Sequence, residues 1–472
     1  MKSKYLLIIA VAALLLGSCE NVLDIGPRDE ITDSNAITNM EDLRFAVTGV
    51  YGAIGGSRPI SWSAYFTDEC RRSPQNRGQG IQIHTWSINS GTNEVDDIYG
   101  GYYVTIVRAN IVLERLDGVP TVTDAEVVEK TKIAAELRAI RAFCHFELLR
   151  FFAPSYTDGN ALGVVIADRE LFLEELPRNT VSEVFAFINE DLAAAYTTLN
   201  QISNNDDITR ITPLAVQALR ARVALYEKRY DDAIVLAEQV AAAVPLATTP
   251  AAYLGIWSDA QETEVIFELK RVAGDGAVGT IFQDTNREVY FNISNSLFSI
   301  FQVGDYRRNI GALQESGSTP ANLKVGKYSG SSSNYGLNDI KILRASEMYL
   351  ILAEAYALKA NPDLDLAAEW LNRLRRARRT NPNSTTVLPD VTFNSQQVAV
   401  DLILTERRRE LCFEGHRFFD LKRFGLGVDR LPADVVLNSF AEDLQAGDYR
   451  FTLPIPQEAI FVNQRLDQNP NY

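Results

Sequence analysis

Residues 213–245 read PLAVQALRARVALYEKRYDDAIVLAEQVAAAVP, and this stretch decides the fold. Its small residues recur as in a tetratricopeptide repeat, with Ala221 and Ala233 twelve positions apart and Pro245 twelve further on. Alanine at the first two positions lets antiparallel helices approach closely, Tyr230 fills the turn, and proline ends the pair. The pattern predicts a helical hairpin that buries its apolar face against neighbouring hairpins.

A second copy of this pattern lies at residues 340–380. It carries Ala353, Tyr356 and Ala367, the last displaced by an inserted Asn361-Pro362. For either copy taken alone, the alternative is a generic helical hairpin with chance alanine spacing. Together the two copies favour a stacked helical scaffold.

Helical periodicity also extends over residues 39–56, 98–116, 125–152 and 180–199. Two helix starts are explicit. Thr180 with Glu183 three residues later forms a capping box, and Thr212-Pro213 pairs a cap with proline at the first helical position. These signals predict an all-α fold.

Two regions lose helical periodicity and are rich in glycine, serine, asparagine and aromatic residues. Within the second, Glu262–Val272 alternates like a strand. Long irregular stretches in a compact domain are usually functional or mobile. The predicted architecture is therefore all-α with long irregular loops and a few short strands. The repeat scaffold is predicted at 36–56, 98–250 and 340–472, and the loop-rich, ligand-facing regions at 57–97 and 251–338.

The amino end is typical of an export signal. Lys2 and Lys4 precede the apolar run Tyr5–Leu16, which is too short to cross a bilayer as a mature helix. The run ends in Leu16-Gly17-Ser18-Cys19, which resembles a bacterial lipobox; the alternative is a buried strand that happens to end in cysteine. We predict a lipoprotein signal peptide at 1–18, acylation of Cys19, and a single mature domain at 19–472.

Charge and cysteine content exclude several classes. The chain has a net charge of −15, and removal of the predicted signal leaves 44 basic and 61 acidic residues. A protein this acidic is not expected to bind nucleic acid, because its net negative charge repels the phosphate backbone. After Cys19 only Cys70, Cys144 and Cys412 remain, which argues against a disulfide framework and a cysteine-based metal site.

Several longer motifs resemble the SusD/RagB family. The most specific is ERRRELCFEGHRFFDLKR at 406–423; RFTLPIPQEAI at 450–460 and the terminal QNPNY at 468–472 resemble the family's tail. AELRAIRAFCHF at 135–146 is similar to its first long repeat helix, and Ala109-Asn110 matches a pair in the preceding helix. These motifs spread over nearly the whole chain.

The resemblance implies a fold, a location and a partner. SusD-like proteins have a tetratricopeptide-like helical core whose irregular loops supply the ligand surface. They sit on the outer face of the outer membrane, cap a SusC-like, TonB-dependent transporter, and bind glycans, or peptides in the RagB branch. Glu20 and Asp24, close behind Cys19, suit the acidic surface-export signal of such lipoproteins.

Catalytic, metal and cofactor sites are not predicted. Glu406, Glu410 and Glu414 have helical spacing, so two carboxylates could serve a glycosidase. Ion pairing with nearby arginines is the favoured interpretation, and the family uses this segment as scaffold. His84, His145 and His416 lack zinc-ligand spacing. Calcium binding by loop carboxylates such as Asp68 and Glu69 stays open.

Ligand binding is the remaining hypothesis. Sugars present flat C–H faces ringed by hydroxyls, which suit aromatic platforms flanked by polar side chains. For each candidate, the alternative is a side chain that packs its loop onto the core. The candidates are Trp62, Tyr65, Asp68, Arg71, Arg72, Asn76 and Trp86 in the first region, and Trp257, Tyr290, Tyr306, Tyr328 and Tyr335 in the second.

We therefore expect a non-catalytic surface lipoprotein that binds oligosaccharides and delivers them to a SusC-like transporter. Peptide capture, as in RagB-like proteins, and a surface glycoside hydrolase are the alternatives.

Overall fold

The computed structural model describes residues 36–171, 174–202, 206–284, 286, 288–313, 323–330, 335–435 and 441–472. The predicted signal peptide, Cys19, Glu20 and Asp24 lie outside these ranges and stay predictions. The helices are α1 (Met40–Ala53), α2 (Ser57–Phe66), α3 (Ile81–His84), α4 (Asn93–Arg115), α5 (Asp124–Phe152), α6 (Val181–Ile202), α7 (Pro213–Tyr226), α8 (Tyr230–Ala243), α9 (Pro250–Trp257), α10 (Asn295–Ser299), α11 (Arg307–Gly311), α12 (Ala345–Leu358), α13 (Leu364–Ala377), α14 (Gln396–Glu410), α15 (Arg417–Phe424) and α16 (Gln457–Val462).

Short strands accompany the helices. They are β1 (Cys70–Arg72), β2 (Val265–Leu269), β3 (Phe291–Ile293), β4 (Ala312–Leu313), β5 (Lys324–Val325), β6 (Ile340–Arg344), β7 (Val428–Asp429) and β8 (Asp443–Leu444). Single 3₁₀ turns occur at Leu116–Gly118, Val278–Ile281, Pro432–Asp434 and Tyr449–Phe451.

Both predicted hairpins are present, as α7–α8 and α12–α13. The alanines that should allow close helix approach are fully buried in each, and α8 packs on α12, so the hairpins stack. Helices α4, α5 and α6 pack in series before the first hairpin, and α14 packs on α12 and α13 after the second. The all-α prediction is confirmed.

The predicted helix starts are also present. The Thr180 amide donates to the Glu183 carboxylate at 2.8 Å, and the Glu183 amide donates back to the Thr180 hydroxyl at 3.3 Å. The Thr212 hydroxyl accepts from the Ala215 amide at 3.0 Å. Each bond satisfies an amide that has no partner inside its helix.

The described strands form antiparallel pairs. β2 lies within the predicted strand at 262–272 and pairs with β6, but all five of its residues are buried, so both of its faces pack against protein. β1 pairs with β3, with Cys70 opposite Ile293 and Arg72 opposite Phe291. This second pairing joins the two loop-rich regions.

Region 57–97 is more regular than predicted. It contains α2, in which seven of ten residues are buried, as well as β1, α3 and the start of α4. Serines within α2 interrupt the apolar period, and the helix is stabilised by tertiary packing that its own sequence does not show.

The described part of the chain has no helix long and apolar enough to cross a bilayer. Cys70, Cys144 and Cys412 are buried free thiols.

Candidate ligand-binding site

The segment 406–423 forms two helices rather than one. α14 ends at Glu410, and α15 begins at Arg417 after a turn in which Phe413 and Gly415 have φ values of 62° and 82°. A Cβ on Gly415 would approach the side chain and carbonyl carbon of Pro59 to 2.8 and 2.9 Å. Glycine is therefore required where this turn packs on α2.

Glutamates of α14 lie in a buried ion network instead of lining a cleft. Glu410 is within 2.8 Å of Arg378, 3.0 Å of Arg307 and 3.2 Å of Arg344. Glu406 is 2.7 Å from Arg307. Each of these side chains is at most 2% exposed, so the pairs lie in the core and not on a helix surface.

Glu406 is deprotonated at neutral pH, which argues against acid catalysis by this segment. Burial alone would raise its pKa, but the positive charges of Arg307, Arg409 and Arg375 lower the pKa to about 2. A general acid needs a proton near neutral pH, and this carboxylate has none. The network supports the scaffold interpretation.

A second set of contacts joins the two residues that precede β1 to α14, α15 and the turn between them. Asp68 is 2.9 Å from Arg417 and 3.2 Å from Arg408. Glu69 accepts hydrogen bonds from the Phe413 amide and the Ser63 hydroxyl, each at 3.1 Å. Asp68 and Glu69 thus have structural partners, and among the described residues no three His, Cys, Asp or Glu side chains are arranged to hold a metal.

Eight of the twelve ligand candidates are buried at 8% exposure or less, which corrects the prediction of an exposed platform at these positions. Their side chains face the core because partners distant in sequence cover them. The eight are Trp62, Tyr65, Asp68, Asn76, Trp86, Trp257, Tyr306 and Tyr328.

Tyr65 shows how a candidate ring is covered. Phe291 stacks on it with ring centroids 4.4 Å apart, and its hydroxyl donates to the Ile281 carbonyl at 2.6 Å. On another side lies Gly80, where a Cβ would come within 2.4 Å of the ring. The ring has no free face for a sugar.

Aromatic or cationic neighbours cover the tryptophans as well. Trp62 packs against Phe66, Phe151 and Phe418. The Arg430 guanidinium lies 4.4 Å from the ring centre of Trp86, and the Lys327 ammonium lies 4.4 Å from that of Trp257. Tyr328 meets Trp257 edge-on, and the Tyr306 hydroxyl donates to the Ala377 carbonyl at 2.6 Å.

The remaining four candidates are half-buried: Arg71, Arg72, Tyr290 and Tyr335. Arg71 and Arg72 belong to β1, and Tyr290 directly precedes β3, with which β1 pairs, whereas Tyr335 lies in a separate bridge opposite Gly330. We call the surface formed by residues 71–80 and 288–290 the seam.

Backbone and amide hydrogen bonds hold the seam. The Ser73 amide and the Asn76 side-chain amide both donate to the Tyr290 carbonyl, at 3.0 and 3.2 Å. The Val289 amide donates to the side chain of Gln75 at 3.0 Å, and Arg77 pairs with Glu288. Gln75 was not among the sequence candidates, because an isolated glutamine in a turn carries no pattern.

Within the described ranges, the Arg71 and Arg72 guanidinium groups have no hydrogen bond, ion pair or ring contact. The Arg71 Nε is buried without a partner. Each guanidinium carries five N–H donors, so the seam offers donors that have no partner among the described residues. Such an arrangement suits a ligand rich in hydroxyl or carbonyl oxygens.

Comparisons with known proteins agree with this architecture. Residues 277–472 match a family model described as the SusD family, and residues 28–225 match one described as "Starch-binding associating with outer membrane". A SusD-like protein P38 from Formosa agariphila is 23% identical over 98% of both chains.

Solved structures of SusD superfamily proteins are also similar to this chain. A SusD superfamily protein from Bacteroides vulgatus superposes with a TM-score of 0.78 at 26% identity, covering 92% of this chain and all of its own. One from Bacteroides thetaiotaomicron gives a TM-score of 0.76, also at 26% identity and with the same coverage. Helical scaffold, sequence motifs and relatives agree: the chain belongs to the SusD-like family.

Proposed function

We propose that this protein is a lipid-anchored, non-catalytic receptor on the cell surface that binds oligosaccharides at the seam and delivers them to a SusC-like, TonB-dependent transporter. The observation that carries the proposal is the pairing of β1 with β3, which brings Arg71 and Arg72 close to the segment of Tyr290, more than 200 residues away in sequence. The family description as starch-binding supports a glycan as ligand.

The chemistry of the seam fits a sugar. The N–H groups of Arg71 and Arg72 have no partner among the described residues and can donate to ring and hydroxyl oxygens, and the half-buried Tyr290 offers part of a ring to C–H groups. A paired arginine would have to give up its carboxylate first. Because Arg71 and Arg72 have no carboxylate partner in the described ranges, binding a neutral glycan breaks no ion pair there.

Binding rather than hydrolysis is proposed because the paired carboxylates that suggested chemistry, Glu406 and Glu410, are fully buried and bound by arginines. A glycosidase needs two carboxyl groups flanking the scissile bond. A ligand at the seam would not reach these two.

Isothermal calorimetry with neutral oligosaccharides and with peptides of similar size tests the ligand class. We expect an oligosaccharide to bind and the double variant Arg72→Gln/Tyr290→Ala to weaken that binding at least tenfold. Arg373→Gln, which removes an exposed arginine of α13, is the matched control and should bind normally. Binding of peptides alone would overturn the glycan assignment, and new reducing ends after prolonged incubation would overturn the non-catalytic assignment.

Cell fractionation tests the anchor and the partner. The wild-type chain should be found in outer-membrane fractions, be cleaved by protease added outside intact cells, and co-purify with a TonB-dependent barrel. Cys19→Ser should release it from the membrane, because the acyl acceptor is lost. Recovery of the wild-type chain from the cytosol would contradict the proposal.

A further inference from the structure

A hollow of about 290 Å³ lies among the carboxyl end of α5, the turn between α7 and α8, and α15. We call it the lysine hollow. None of its lining residues belongs to the seam. Those that matter here are Tyr156, Tyr226, Lys228, Tyr230, Lys422 and Arg423.

The charge of the lysine hollow is opposite to that of the whole chain. Its lining holds three cationic side chains and, within the described part of the chain, no acidic one, although the net charge is −15. Arg423 is already neutralised, since it binds Glu354 at 3.0 Å and Asp420 at 2.8 Å. Lys228 is exposed and has no ion pair with a described residue.

Lys422 is the distinctive group. Its ammonium donates to the carbonyls of Arg150 and Ala153, at 2.9 and 2.7 Å, near the end of α5. An ammonium has three N–H donors, so one has no hydrogen-bond acceptor among the described residues, although the ammonium also lies 5.0 Å from the centre of the Tyr156 ring. Burial, with the positive charge of Arg150, lowers the pKa of Lys422 well below its usual value, because no acid offsets its charge.

A neutral donor lies beside these charges. The Tyr226 hydroxyl accepts a hydrogen bond from Arg150 at 3.1 Å, which leaves its own proton for another acceptor. Carboxylates near the hollow are engaged elsewhere: Glu147 binds Arg150 at 2.5 Å, and Asp420 binds Arg407 at 2.8 Å. Within the described ranges, the hollow therefore combines donors that lack an acceptor with positive charge that no carboxylate neutralises.

We propose that the lysine hollow binds an oxyanion group, such as a carboxylate, sulfate or phosphate, through Lys422, Lys228 and the Tyr226 hydroxyl. An oxyanion would accept the spare N–H of Lys422 and neutralise its charge. The volume is close to the low end of small-ligand sites, which leaves room for a sugar unit that carries the group. A second hollow of about 210 Å³ shares Pro154 and Lys422 and extends toward Tyr449, so a longer chain would have somewhere to continue.

Calorimetry with sodium sulfate, at constant ionic strength against sodium chloride, tests the site directly. A sulfated monosaccharide and its unsulfated parent distinguish a sugar-borne oxyanion from a free one. We expect saturable binding to the wild-type chain and at least a tenfold loss in Lys422→Gln. Lys228→Gln, at an exposed position outside the core, should lose several-fold, whereas the charge-matched control Arg44→Gln on α1 should bind normally.

Lys422 also binds two carbonyls at the carboxyl end of α5, those of Arg150 and the following Ala153, so Lys228→Gln keeps the test valid if Lys422→Gln does not fold. Equal sulfate affinity in wild type and Lys228→Gln, non-saturable binding, or equal affinity for the sulfated and parent sugars would each overturn the proposal. Tyr290→Ala at the seam should leave sulfate binding unchanged. The two sites thus succeed or fail independently.

Discussion

The Arg378 guanidinium donates two hydrogen bonds to the Glu410 carboxylate, at 2.8 and 2.9 Å, with both side chains fully buried. Arg378 follows the end of α13, and Glu410 ends α14. Arg378 also donates to Glu264, just before β2, at 2.7 Å. One arginine therefore joins a scaffold hairpin, the segment 406–423 and the second loop-rich region.

Arg378→Met should strongly destabilise the fold, because Glu410 and Glu264 would keep buried charges after losing a shared partner. Breaking a buried pair on one side typically costs about 3–5 kcal/mol. Chemical denaturation measures the loss. Arg373→Met on α13, which breaks the exposed pair with Glu369, should cost less than about 1 kcal/mol. Similar losses in the two variants would show that the network is not a main determinant of stability.

Glu69 should make the fold less stable as pH rises toward neutrality. Burial raises its pKa to about 7, above the unfolded value of 4.5. The folded state therefore binds the extra proton, and this stability is fully present below about pH 4.5 and is lost as pH rises through 7. The shift corresponds to about 3 kcal/mol.

The Glu69 effect is measured as a difference between variants, because burial also raises the pKa of Glu268 to about 7, with the same sign. Unfolding free energies of wild type and Glu69→Gln should converge near pH 4.5 and separate above pH 7, where the variant is the more stable. A gap independent of pH would rule out titration of Glu69 as the cause.

Gly80→Ala should disturb the seam. Gly80 has φ of 60°, and an added Cβ would lie 2.4 Å from the Tyr65 ring. Gly425 has φ of 62° and nothing within 4 Å, so Gly425→Ala measures the backbone strain alone, about 1–2 kcal/mol. We expect a larger loss of thermal stability in Gly80→Ala, together with weaker glycan binding. Equal losses would mean that Tyr65 moves aside freely.

Trp62 and Tyr290 should separate stability from binding. Trp62 is 1% exposed and packs among three aromatic rings, so Trp62→Phe should lower the melting temperature and leave glycan affinity intact in the folded fraction. Tyr290→Ala should weaken glycan binding and leave the melting temperature nearly unchanged, since its ring is half-buried at the seam. Loss of affinity in Trp62→Phe without loss of stability would contradict this division.

Local signals predicted the scaffold well. Alanine spacing, the Thr180 capping box and the Thr212 cap depend on residues close in sequence, and all are present in the structure. The turn at Gly415 was missed because the helical spacing of Glu406 and Glu410 continues to Glu414 inside the turn, although the helix itself ends at Glu410.

The ligand site was harder to predict because burial depends on distant partners. Trp62 meets Phe418, and Tyr65 bonds to Ile281; neither contact leaves a mark near the aromatic residue. Composition therefore identified two loop-rich regions but did not distinguish their buried side chains from their half-buried ones. That Arg71 and Arg72 have no ion pair with a described carboxylate depends on the positions of residues distant in sequence, which no local pattern shows.

The pairing of β1 with β3 has a consequence for biogenesis. Residues 70–72 are synthesised long before residues 291–293, and contacts so distant in sequence are slow to form. A chain whose synthesis is incomplete consequently lacks the assembled seam. The glycan affinity that we propose for the seam would therefore arise only after the whole polypeptide has been made and folded.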